Sequence, residues 1–124
     1  MRQAQIITYG LDPSVTGRLQ KFAQDHGVWV RETQQIRACR NLLREGDAVV
    51  LIVMLGKDVI EELSLVERIG RAAPNIAVIV VSDADNPALA SLAWDLGAIC
   101  VLTPPQPVEL LPDIVLKRLT GEPQ

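Results

Sequence analysis

The run AVVLIVML, from Ala48 to Leu55, constrains this chain more than any other feature. It holds no charged or hydrogen-bonding side chain. An unbroken apolar stretch of this kind is what a strand covered on both faces requires, so the run is expected at the centre of a sheet with helices on each side. If that sheet is parallel and open, its C-terminal edge is where chemistry is expected. The strand arrives there with nothing to react and passes into a loop, Gly56-Lys57-Asp58.

The rest of the chain alternates apolar runs with helical patterns. QIITYG (Gln5 to Gly10) reads as the first strand. A helix follows, with Asp12 as N-cap, Pro13 at the first helical position and Gly27 beyond its end. Val15, Leu19, Phe22 and Ala23 recur at helical spacing and form its inward stripe. Val28 to Thr33 is the second strand, and Gln34 to Glu45 a second helix burying Ile36, Leu42 and Leu43, stopped by Gly46. After the central strand a helix spans about Val59 to Ala72, with Ile60, Leu63, Val66 and Ile69 inward. NIAVIVVS is the fourth strand. A loop through Asp83, Asp85 and Asn86 leads to a helix carrying Leu89, Leu92 and Leu96, then to AICVLT as the fifth strand. The last helix reaches about Leu119; Pro112 interrupts its pattern, so the long helix is expected to start there.

Five strands each followed by a helix imply an α/β fold: a doubly wound parallel sheet with right-handed crossovers, helices on both faces, and the flavodoxin-like strand order 2-1-3-4-5. The 124 residues, 48% hydrophobic, fit one domain over residues 1–120, with 121–124 as a frayed tail or the start of a linker. A net charge of -3 argues against a direct nucleic-acid surface. No apolar run is long enough to span a bilayer and the first ten residues lack a signal peptide's pattern, so a cytoplasmic location is expected. Cys39 and Cys100 lack the close pairing of metal or redox motifs and are expected to be buried thiols.

Nearly the whole chain resembles the receiver domain of bacterial two-component response regulators. DPSV after the first strand, DAVVLIVML in the middle, VIVVSD at the fourth strand and LGAICVLTPPQPVELL near the end fall where that family has matching segments. In a working receiver an acidic pair after strand one helps to hold Mg²⁺, and an Asp ending strand three attacks a phosphoryl donor. A Thr or Ser after strand four and a Lys after strand five contact the phosphoryl group. A carboxylate nucleophile cannot approach an anionic phosphoryl group without such a cation and a nearby positive charge.

Carried onto this sequence, the acidic pair falls on Gly10 and Leu11, the phosphoacceptor on Ile52, and the Lys on Pro104. Only Ser82 keeps a family-typical side chain. The aromatic that rotates in signalling receivers corresponds to Val101. The resemblance therefore implies a degenerate pocket, or pseudo-receiver, with no catalytic residue, Mg²⁺ binding lost and no other cofactor. It also implies a cis peptide before Pro105, as in the family's Lys-Pro turn.

Several residues admit a plainer role. Asp12, Asp58, Asp83 and Asp85 are read as caps and solvated loop residues rather than cation ligands. Lys57 follows Gly56 without the rest of a phosphate loop and is read as a surface lysine that could contact an anion at the pocket mouth. His26, in the last turn of its helix, suits the negative end of the helix dipole. Trp94 lies two residues from both Leu92 and Leu96, off the core stripe; packing on the helix flank is favoured over facing a partner. With Val101 and Leu111 it marks the helix 4, strand 5, helix 5 face, which receivers use for dimerisation or output docking.

The expected function is a non-enzymatic, phosphorylation-independent module of bacterial signal transduction that binds a protein partner, or itself, through that face, with no membrane contact. The alternative is a small-ligand sensor holding a nucleotide or other anion near Ile52 with Ser82, Lys57 and loop amides. It requires a cavity at that point.

Overall fold

The run from Ala48 to Leu55 is a strand hydrogen-bonded on both sides, in the middle of a five-stranded parallel sheet. The computed structural model describes residues 4–46, 48–82, 86–103 and 110–120. In chain order the elements are β1 (Gln5–Tyr9), α1 (Pro13–His26), β2 (Trp29–Thr33), α2 (Ile36–Arg44), β3 (Ala48–Leu55), α3 (Val59–Ala72), β4 (Ala77–Ser82), α4 (Pro87–Asp95), β5 (Cys100–Leu102) and α5 (Leu111–Thr120). The strands lie in the order β2-β1-β3-β4-β5. This is the flavodoxin-like arrangement expected from the alternation of elements.

Because side chains alternate along a strand, β3 feeds two cores. Leu51, Val53 and Leu55 join Ile7, Tyr9, Val78 and Val80 under α2, α3 and α4. Val50 and Ile52 join Ile6, Ile79 and Val81 under α1 and α5, where Leu19, Leu111 and Val115 are buried. A strand with core on both sides has no place for a polar side chain, which accounts for the apolar run.

The helix boundaries follow local chemistry. Asp12 caps α1, its carboxylate accepting from the Ser14 backbone N–H, and Pro13 stands at the start where its missing N–H costs nothing. Asp58 and Asn86 cap α3 and α4 by accepting from the Glu61 and Leu89 N–H groups. At the end of α1, His26 Nδ1 donates to the Phe22 carbonyl at 2.9 Å while its ring lies 4.4 Å from that of Phe22, the capping role expected. Pro112 falls in the first turn of α5, which begins one residue earlier than expected. α3 passes close to the end of α4: a Cβ at Gly70 would sit 2.8 Å from the Leu96 carbonyl oxygen, so only glycine fits.

Four inward-facing assignments are corrected. Ile60 is 83% exposed, because it lies about 180° around the helix from the buried Ile69. Glu62 and Leu65 are buried in α3 instead. In α2 the fully buried positions are Cys39 and Leu43, with Ile36 and Leu42 only partly covered. In α4 the helix meets the sheet through Ala93, leaving Leu92 exposed. The larger residue lies at the margin because a small one allows the closer approach.

Candidate functional site

The C-terminal edge of the sheet is built by the turns after β1, β2 and β3. Gly10 takes a left-handed conformation, φ 73°, and its N–H donates to the Thr33 carbonyl at 3.0 Å, ending β1 against β2. The chain then drops Leu11 into the α1/α5 core, 1% exposed. Neither position of the expected acidic pair carries a charge, and Leu11 fills the space with hydrocarbon.

Gln34 ties the three turns together. Its Nε2 donates to the Leu11 carbonyl at 3.0 Å, and its Oε1 accepts from Lys57 Nζ at 3.2 Å. Lys57 is thus exposed at the mouth of the site, with its ammonium on a neutral amide. Asp12 lies at the rim but is engaged with Ser14, through both the backbone N–H at 2.9 Å and the hydroxyl at 2.8 Å. The bond from the Ser14 backbone N–H, followed by that from its hydroxyl, holds the Asp12 carboxyl below the usual range.

Ile52 is not at the end of β3 but within it, flanked by Thr8 of β1 and Ile79 of β4, with no accessible surface. The strand continues to Leu55, which pairs with Ser82. The β3 residue beside the first turn is Met54: a Cβ on Gly10 would lie 3.5 Å from both the Met54 Cβ and its carbonyl oxygen. Met54 has no group that can accept a phosphoryl group.

Ile52 itself has no solvent-accessible surface. Ser82 is buried at the end of β4, at 6% exposure. Pro104 and Pro105, and therefore the peptide before Pro105, lie outside the described residues, as do Asp83 and Asp85.

The sequence reading missed a buried polar network beneath this edge. Glu62, completely buried, accepts from the Tyr9 hydroxyl at 2.7 Å through Oε2 and from the Gly56 N–H at 2.9 Å through Oε1. Burying a carboxyl group is costly unless its oxygens are satisfied, and here each has a donor. The pair fixes the end of β1 to the first turn of α3 and to the loop between β3 and α3. Burial, and next the hydrogen bond to Glu62, push the Tyr9 hydroxyl well above its ordinary value. A signal was present: Val59, Glu62, Val66 and Ile69 share the helical spacing of the inward face.

Other polar groups here are structural. Thr33 Oγ1 donates to the Thr8 carbonyl at 2.6 Å. Burial pushes the Cys39 thiol up to about 11, outweighing the opposing hydrogen bond with Thr33, and Cys100, half-buried, is also raised by burial. Both cysteines are free. A thiol in such surroundings is a poor nucleophile.

Of the three residues marked for an interface, only Trp94 is open to solvent, 50% exposed. Val101 and Leu111 are buried at 8% and 0%, in the cores on opposite faces of the sheet, and their side chains cannot form a docking surface. Leu92 is also exposed, but lies about 200° around α4 from Trp94, so the two sit on opposite margins of the helix. Among the described residues no helix is long and apolar enough to cross a membrane.

No protein-family model and no curated protein sequence matches the chain. Solved structures do. HP1043, an orphan response regulator of H. pylori, superposes with a TM-score of 0.79 at 20% identity, over 95% of this chain and 98% of that one. The isolated receiver domain of RcsB from Salmonella enterica serovar Typhimurium, determined with the phosphomimetic BeF₃⁻, gives 0.76 at 24% identity, over 98% and 92%. A CheY-like receiver domain protein from Methanospirillum hungatei gives 0.80 at 13% identity, over 96% and 95%. Strand order, helix placement and these superpositions agree: this chain has the fold of a response-regulator receiver domain.

Proposed function

We propose that this chain is a receiver-fold signalling module that works without phosphoryl transfer and without catalysing a reaction, by binding a protein. The observation that carries the reading is the replacement of chemistry by packing at the C-terminal edge. Gly10 lies against Met54, and Leu11 is buried where a metal-binding carboxylate would have to stand. Phosphoryl transfer to a carboxylate needs the nucleophile, a divalent cation and a compensating charge at one place.

The same residues stabilise one arrangement of the edge. Crowded carboxylates repel one another unless a metal or lysine offsets them; hydrocarbon carries no such repulsion, and Gln34 and Glu62 then fix the turns by neutral and buried hydrogen bonds. An output that depends on a phosphorylation-driven switch has no evident trigger here. A constitutive docking surface does not need one.

The surface assigned to docking is the α4-β5-α5 face, with Trp94 as its exposed anchor. Large aromatic residues dominate the energy of protein interfaces. The test is an amide spectrum recorded with Mg²⁺ and beryllium fluoride, alongside the solution size of the protein and of its Trp94→Ala variant. An unchanged spectrum at Gly10, Met54 and Ser82 is expected. Stoichiometric, Mg²⁺-dependent shifts centred there would overturn the reading, whereas a change in size on Trp94→Ala would identify the face as one for self-association.

A further inference from the structure

At the opposite end of the sheet from the phosphorylation-site positions, the C-terminal halves of α2 and α3 line an open groove of about 290 Å³. Its floor is apolar, formed by Leu43, Leu65, Ile69 and Ile76. Its rim is basic, with Arg40 and Arg44 from α2 and Arg68 from α3. A second depression shares Arg40 and Arg44 and adds Arg37 from α2, with Glu61 of α3 on its other side.

The charge is concentrated. α2 holds three arginines and no acidic residue, in a chain whose net charge is -3. Of the neighbouring acids, Glu61 pairs with Arg40 at 3.7 Å and Glu67 with Arg71 at 3.1 Å. Arg44 and Arg68 have no ion pair among the described residues, and the Arg40 Nε is buried without a hydrogen-bond partner. Compensation of the helix dipole gives a role to Arg44, in the last turn of α2, but not to Arg37, Arg40 or Arg68.

We propose that this groove binds an acidic peptide segment of a protein partner, with apolar side chains on the floor and carboxylates on the arginine rim. The charge is complementary to such a segment. The guanidinium fork matches a carboxylate with two parallel hydrogen bonds, and arginine is enriched at protein interfaces where lysine is depleted. The groove is open to solvent, and its volume of about 290 Å³ leaves room for an anchoring side chain. The proposal does not depend on how the phosphorylation-site positions are read.

The experiment is selection of a random phage-displayed peptide library on the full chain, followed by binding of the selected peptides to wild type and to Arg44→Glu/Arg68→Glu. Both arginines are exposed, and the thermal midpoint of the variant checks that it is folded. The expected result is a consensus combining Asp or Glu with large apolar residues, affinity that falls with salt, and a loss of about tenfold or more on charge reversal. Amide shifts of the wild-type protein, centred on Leu43, Arg44, Arg68 and Ile69, give the same reading if the variant fails to fold. The proposal is overturned if no acidic-apolar consensus emerges, if binding survives charge reversal, or if the shifts centre elsewhere. Binding of phosphatidylglycerol vesicles with no peptide selected would also overturn it, assigning the arginines to a membrane surface.

Discussion

The Tyr9 hydroxyl donates to the completely buried carboxylate of Glu62 across 53 residues of sequence, at 2.7 Å. With the Gly56 N–H on the other oxygen, this bond ties the end of the first strand to the turn that follows the central one. It braces this edge of the sheet from within the core.

Tyr9→Phe removes one of these donors while keeping the ring. It leaves a buried carboxylate oxygen unsatisfied, which costs about 1–3 kcal/mol. Urea denaturation monitored by Trp fluorescence is expected to show a lower midpoint with an unchanged slope.

The raised Tyr9 hydroxyl also sets a pH dependence. Its ionisation is disfavoured in the fold, so the unfolded chain loses its proton first; the stabilisation is fully present below about pH 10, the ordinary tyrosine value, and declines as pH rises above it. Cys39, pushed up to about 11, adds the same sign of dependence in alkali. Stability is therefore expected to fall in alkaline solution, with a shallower fall in Tyr9→Phe. Asp12 acts in the opposite direction. Its lowered carboxyl contributes stability above the ordinary carboxylate range that is lost on acidification, a contribution absent from Asp12→Asn.

Gly70→Ala places a Cβ 2.8 Å from the Leu96 carbonyl oxygen, a backbone atom that cannot swing aside. α3 and α4 must separate, at a cost of about 1–3 kcal/mol on the scale of overpacked cores. Alanine at the solvent-facing Gly17, with no atom within 4 Å of the new Cβ, is the control. It is expected to raise helix stability by about 0.5–1 kcal/mol. Thermal midpoints of the two variants should move in opposite directions.

These outcomes also show what the sequence could convey. The central strand, the caps at Asp12 and the parallel order were legible because they depend on local pattern: an unbroken apolar run, a side chain that meets the next turn, and a regular alternation of periods. Positions at margins were not. Ile60 and Leu92 look inward by hydrophobicity alone, but the rotation of each helix is set by its close contacts, at Leu63 and Val66 in α3 and at Ala93 in α4. Ile52, carried over from the family pattern, lies inside a strand whose bounds, Ala48 to Leu55, were themselves legible. Glu62 was missed because a carboxylate on an inward stripe makes sense only once Tyr9 and Gly56 stand beside it.

No residue at the C-terminal edge is expected to accept a phosphoryl group. Intact-mass measurement after incubation with Mg²⁺ and acetyl phosphate tests it directly, with a phosphorylatable receiver treated in parallel. An unmodified mass for this chain, beside a phosphorylated control, is the outcome the packing of Gly10, Leu11 and Met54 predicts. A stoichiometric, Mg²⁺-dependent gain of one phosphoryl group would contradict it.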